Sequence, residues 1–180
     1  MRPGLRRAGL AGLAALMLAG APGPAGSAAP AAPRALTPQE VAQWQALVVA
    51  AEAARAQGDW KKLEKLTRRR AALETRAYGP EAAVTATSWS WIAQALAHRG
   101  RDADAEPYYR KALEASRKAL GERDPQTLLA ISNLAALLER QGRFDEAEPM
   151  RRDLLASTRQ VFGDKGPEAA AAAAALADVL

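Results

Sequence analysis

The chain has 180 residues, a formal charge of +5 and an isoelectric point near 9.9, enough for one domain plus a targeting segment. It has no cysteine and one histidine, His98, which excludes disulfides, thiolate chemistry and any multi-histidine metal centre. Aromatics make up 5% of residues and alanine is abundant, a balance that favours packed helices over sheets.

Residues 1–28 read as a secretory signal peptide. Arg2, Arg6 and Arg7 form a positive start, and Ala8 to Ala21 is an apolar run of 14 residues. Such a run is roughly 21 Å long as a helix, short of the roughly 30 Å of a bilayer core. Gly26-Ser27-Ala28 offers a small-residue cleavage site after Ala28. Export to the periplasm or the exterior, in a bacterial setting, is therefore expected, with no stable membrane span after cleavage. Losing the three leader arginines lowers the formal charge from +5 to +2, which weakens any argument for nucleic acid. Residues 29–36 then form an Ala/Pro linker.

The folded region opens at Thr37-Pro38-Gln39-Glu40, a capping box with proline at the first helical position. Apolar spacing and Gly/Pro punctuation predict helices near 38–57, 60–78, 81–98, 102–119, 125–140, 144–161 and 167–180. No strand pattern is visible. Helices one and two turn at Gly58-Asp59, three and four at Gly100-Arg101, five and six at Gly142-Arg143-Phe144. Connections this short make each pair antiparallel.

The helix over 60–78 carries Lys61, Lys62, Lys65, Arg68, Arg69, Arg70 and Arg76 against Glu64 and Glu74, a net +5. Two readings stay open for it: docking to an anionic surface or acidic partner, and a solvated face on an edge unit.

These elements repeat. Gly58, Gly100 and Gly142 are 42 residues apart, as are Gly79, Gly121 and Gly163. At offsets 0, 3, 4 and 7 the first helix of each pair places one apolar face: Leu47, Ala50, Ala51, Ala54; then Trp89, Ile92, Ala93, Leu96; then Ile131, Leu134, Ala135, Leu138. Ala51, Ala93 and Ala135 are the small residues that let the partner helix approach. The second helices offer Leu63, Leu66 and Arg70, then Ala105, Tyr108 and Ala112, then Ala147, Met150 and Leu154.

The stretch from Leu120-Gly-Glu-Arg-Asp-Pro-Gln-Thr127 through Ser132-Asn-Leu-Ala135 to Gln141-Gly-Arg-Phe-Asp-Glu-Ala-Glu-Pro149 closely resembles the tetratricopeptide repeat, in its 42-residue kinesin-light-chain form. HEAT-type repeats share the period but lack that turn. The resemblance implies an all-α, right-handed solenoid of antiparallel helix pairs. Its units would be 37–78, 79–120 and 121–162, with a partial fourth at 163–180. The third unit matches best. The first is divergent, with Arg70 at a normally small position. The second has Ala82-Ala83 where the third has Asp124-Pro125.

By the same resemblance, the first helices line a concave groove that holds a protein or peptide. Opposite the apolar stripe lie Glu52, Thr87, Trp91, Gln94, His98, Asn133 and Arg140. Trp89 falls with the core positions. Trp91 is either an exposed anchor or packed on a neighbouring unit. Asn133 suits an extended ligand backbone, and it equally suits a bond to the next repeat. Arg140 and His98 suit a ligand carboxylate or the negative end of their own helices.

No phosphate loop, serine elbow or metal signature is present, and Asp145, Glu146 and Glu148 belong to the repeat turn. No catalytic residue, cofactor site or metal site is therefore assigned. The expected function is a non-enzymatic scaffold. The alternative is a sensor or regulatory arm of a larger effector, suggested by the unfinished fourth unit.

Overall fold

A computed structural model describes residues 34–179; the expected leader and most of the linker lie outside these residues. The described residues form seven helices: α1 (Pro38–Ala56), α2 (Trp60–Tyr78), α3 (Ala83–His98), α4 (Asp102–Leu120), α5 (Pro125–Arg140), α6 (Phe144–Phe162) and α7 (Pro167–Ala177). No strand occurs among them. Every substantial helix–helix contact joins sequence neighbours, the pattern of a solenoid.

The two glycine series do different jobs. After α1, α3 and α5, Gly58, Gly100 and Gly142 sit at φ of 69°, 72° and 73°. At Gly100, the Arg101 N–H donates to the Leu96 carbonyl and the Gly100 N–H to the Ala97 carbonyl. The same pair of bonds recurs at Gly58 and Gly142, so three identical Schellman turns reverse the chain within each unit. After α2, α4 and α6, Gly79, Gly121 and Gly163 lie at φ of 86°, 90° and 85° with ψ of 167°, 169° and 159°. That region of backbone space is essentially reserved for glycine.

The helix starts follow the local sequence. Thr37 and Glu40 close the predicted capping box on α1. Asp124 caps α5, its carboxylate accepting from the Gln126 N–H at 2.8 Å. In the second unit Ala82 stands at that place, and α3 begins at Ala83 with no side-chain cap, two residues later than expected. Likewise α7 ends at Ala177, short of the predicted 180.

Ala51, Ala93 and Ala135 are fully buried, as close approach of the paired helices requires. On the second helices the predicted outer positions, Leu63 and Arg70, Ala105 and Ala112, Ala147 and Leu154, are buried, and only the middle position of each set departs, by one residue. Tyr109, Thr67 and Arg151 are buried, whereas Tyr108, Leu66 and Met150 are half-buried at the core margin. Trp89 also lies at the margin, packed on the main core but half-exposed, because its indole is wider than Leu47 or Ile131 at the same position.

Charged side chains join successive units. Glu64–Arg68, Glu106–Arg110 and Glu148–Arg152 are ion pairs spaced four residues apart on their helices, and they recur at the 42-residue period. An arginine from the following unit joins each of the first two: Arg99 on Glu64, and Arg143 on Glu106 at 2.6 Å. Partial burial works upward on the Glu106 carboxyl, but hydrogen bonds from Arg110 and Arg143 outweigh it and hold the group below the usual carboxylate range.

Candidate binding groove on the first helices

The solenoid turns α3 and α5 toward each other across the α4 helix. Between them lies a pocket of about 180 Å³, lined by Gln94, Ala97 and His98 of α3, Tyr109 of α4, and Asn133, Ala136, Leu137 and Arg140 of α5. Four of the seven predicted groove residues, Gln94, His98, Asn133 and Arg140, therefore converge on one space.

Each arrives by helical spacing. Gln94 and His98 are one turn apart on α3, and Asn133 and Arg140 are two turns apart on α5. The buried Tyr109 ring contributes to the lining, and burial pushes its hydroxyl pKa up to about 12. The Gln94 Oε1 is buried and has no hydrogen-bond partner. A buried acceptor without a donor costs roughly 1–3 kcal/mol. Arg140 already donates from Nη2 to the Asp102 carboxylate at 2.6 Å, which orients its guanidinium at the pocket edge. The His98 ring is stacked on Trp60, with centroids 3.8 Å apart and planes 3° from parallel.

The other three predicted residues are placed differently. Thr87 is occupied in structural bonding: its hydroxyl donates to the Ala83 carbonyl and accepts from the Gln126 amide, tying α5 to α3. Trp91 takes the packed alternative. It sits against Ala51, Ala54, Leu63 and Ala95, with the guanidinium of Arg55 at 5.0 Å and that of Arg70 at 4.8 Å from its ring centroid. Glu52 is exposed on α1, away from the pocket.

Tyr109 was missed because it follows Tyr108 directly, and neighbouring residues differ by about 100° around a helix. Only the rotation of α4 against α3 and α5 decides which tyrosine points inward.

A second cleft, about 460 Å³, opens between α2 and α4. It is lined by Arg68, Arg76, Trp89, Tyr108 and Lys111, among others, and shares no residue with the first pocket. Among the described residues no cluster of His, Asp or Glu is arranged to hold a metal ion, and no helix is long and apolar enough to cross a membrane.

A family model for the tetratricopeptide repeat matches residues 84–156 and 126–180. The chain belongs to the tetratricopeptide repeat family. Repeats of this family serve as protein-interaction scaffolds. No curated protein matches the sequence. Among solved structures, the chain is similar to BtubC (BKLC) from P. vanneervenii, with 21% identity and a TM-score of 0.66. The match covers 78% of this chain and 56% of that one. It is similar also to a putative kinesin light chain with nearly identical repeats from Podosopora anserina, at 18% identity and a TM-score of 0.66, over 78% of this chain and 65% of that one. The chain thus spans between half and two thirds of the length of these tetratricopeptide proteins.

Proposed function

We propose that this tetratricopeptide protein is a non-enzymatic scaffold that holds a protein or peptide segment in the groove between α3 and α5, after export directed by residues 1–28. The observation that carries the reading is the pocket where Gln94, His98, Asn133 and Arg140 meet, with a buried acceptor on Gln94 left unbonded. Gln94 and Asn133 together offer the donors and acceptors that a peptide backbone needs, and Arg140 suits a carboxylate. At about 180 Å³ the pocket is small beside a drug-sized cavity, which fits side chains of an extended segment better than a free metabolite.

Selection of random displayed peptides on the purified full chain tests this. Recovered peptides should bind about 2–10-fold more weakly to each of Gln94→Ala, Asn133→Ala and Arg140→Ala, and far more weakly to the triple variant. Selection that recovers nothing above background, or peptides that bind the triple variant as well as the parent, would overturn the groove assignment. For export, the N-terminal sequence of the protein recovered from its host should begin at Ala29. A mature chain still beginning at Met1 refutes that part.

A further inference from the structure

The outward surface of α2 differs from that of the other helices among the described residues. Seven of its side chains are exposed, and all but Ala72 are cationic: Lys61, Lys62, Lys65, Arg68, Arg69 and Arg76. At about 100° per residue they fall within an arc of roughly 120°, and the strip runs roughly 22 Å along the axis. Its acids are turned elsewhere. Glu74 is buried beneath the helix, and Glu64 at the margin is already held by Arg68 and Arg99.

This arrangement works against the helix that carries it. The first turns of α4 and α6 hold Asp102 and Asp104, then Asp145 and Glu146, as the positive end of a helix dipole favours. Asp59 caps α2 from outside, but the first turn itself has no acid, and Lys61 and Lys62 stand where Ala103-Asp104 and Asp145-Glu146 stand in the later units. Lys61, Lys65 and Arg69 follow one another at intervals of four, a like-charge row that destabilises a helix. Arg76 is paired to Glu40 and Arg68 to Glu64, but Lys61, Lys62, Lys65 and Arg69 have no ion pair among the described residues. On α4 and α6, by contrast, Arg110, Lys118 and Arg152 are each neutralised by a carboxylate.

We infer that the exposed face of α2 docks the protein electrostatically on an anionic lipid surface. Rows of four to eight basic residues on one helix face suit the diffuse field of charged headgroups. The unpaired set is three lysines and one arginine, flexible point charges with no fixed fork to grip one shaped ligand. The strip carries no exposed aromatic or large apolar side chain, so docking involves no insertion, and the contact is sensitive to salt. Absence of interleaved aromatics also disfavours a single-stranded nucleic acid.

Co-sedimentation of the full chain with vesicles tests the inference, using phosphatidylcholine alone and equal parts phosphatidylcholine and phosphatidylglycerol. Binding is expected only to the anionic vesicles, strong at about 0.01 M salt and lost near 1 M as the screening length falls from roughly 30 to 3 Å. Combining Lys61→Gln, Lys65→Gln and Arg69→Gln should weaken it by about 100-fold, taking about 5-fold per cation. The same variant should unfold at no lower temperature than the parent, because the like-charge row has been relieved. Equal binding to both vesicles, insensitivity to salt, or binding kept by the triple variant (as docking through residues 1–28 would give) overturns the proposal. Tighter capture by soluble polyglutamate or duplex DNA than by vesicles reassigns the face to a soluble polyanion and overturns it equally.

Discussion

Arg70 sits where the other units have Ala112 and Leu154, yet it is 4% exposed and its neighbour Glu74 is wholly buried. The Arg70 Nε donates to Glu74 at 3.0 Å and to the Ser88 hydroxyl at 2.7 Å, and the Trp44 indole N–H donates to Glu74 at 2.7 Å. One ion pair thus binds α1, α2 and α3 together. Removing one member leaves an uncompensated buried charge, so Arg70→Met should cost about 3–5 kcal/mol by urea unfolding at neutral pH. Adding Glu74→Gln keeps an acceptor for Trp44 and Ser88 without the charge, and the double variant should recover at least half of that loss. Burial already raises the Glu74 carboxyl above its ordinary range, against the pull of Arg70. A carboxyl raised on folding binds its proton more tightly in the native state, so stability is lost as pH rises above the unfolded value. The deficit of Arg70→Met should therefore shrink as pH falls toward about 4.5. A constant deficit across that range would mean that Glu74 is not carrying the charge in the variant.

Glycine identity separates the two turn types at the same scale. Asparagine tolerates the left-handed region of Gly142, so Gly142→Asn should be nearly neutral. Gly121, with ψ of 169°, lies outside that region, and Gly121→Asn should cost about 1–3 kcal/mol. No atom lies within 4 Å of a Cβ at either position, so the difference in thermal unfolding would be conformational, not steric.

At the scale of the helix, most boundaries were legible because the signals are local. Gly142-Arg143, Asp124-Pro125 and Thr37-Pro38 each act within a turn of themselves. The rotation of a helix about its axis is not local, and that is where sequence reading fell short. Trp89 and Trp91 were correctly separated onto different faces, but whether Trp91 was covered depended on Arg55, Arg70 and Leu63 from the preceding unit. The Arg151–Glu139 pair links α6 to α5 across their hairpin, 2.6 Å apart, and follows from hairpin register alone. Where the local signal is missing, a remedy can be predicted. Ala82 has φ −75° and ψ 142°, and Asp124, at the same place in the next unit, has φ −66° and ψ 138°. The backbone at Ala82 is already set for a cap. Ala82→Asp should stabilise the protein by about 0.5–1 kcal/mol, measured as a higher urea midpoint at unchanged slope. No gain would show that the end of α3 is held entirely by packing.

For the whole molecule, the two hydrophobic clusters are unequal. The larger joins residues from Ala71 on α2 through Ala172 on α7. The smaller is built on Ala51, Ala54, Leu63 and Ala95, with Trp60, Leu66 and Trp91 at its edge. Alanine offers little apolar area, and burial contributes only about 25 cal/mol per Å². The N-terminal unit therefore relies heavily on the Arg70–Glu74 network and on the Trp60–His98 stack. In a solenoid each unit is stabilised by itself and its immediate neighbours, so a weak end unit can open alone. Opening of α1 and the first part of α2 should precede loss of α3 to α6 in urea. The chain carries its own reporter for this, because Trp44, Trp60 and Trp91 lie in or against the weak unit and only Trp89 packs on the larger cluster. Tryptophan emission should change at a lower urea concentration than far-ultraviolet circular dichroism, which follows all seven helices. Arg70→Met should widen the gap by moving the first transition alone. Coincident transitions in the parent and in the variant would instead mean that the contact of α2 with α3 couples the units strongly enough for the solenoid to unfold as one.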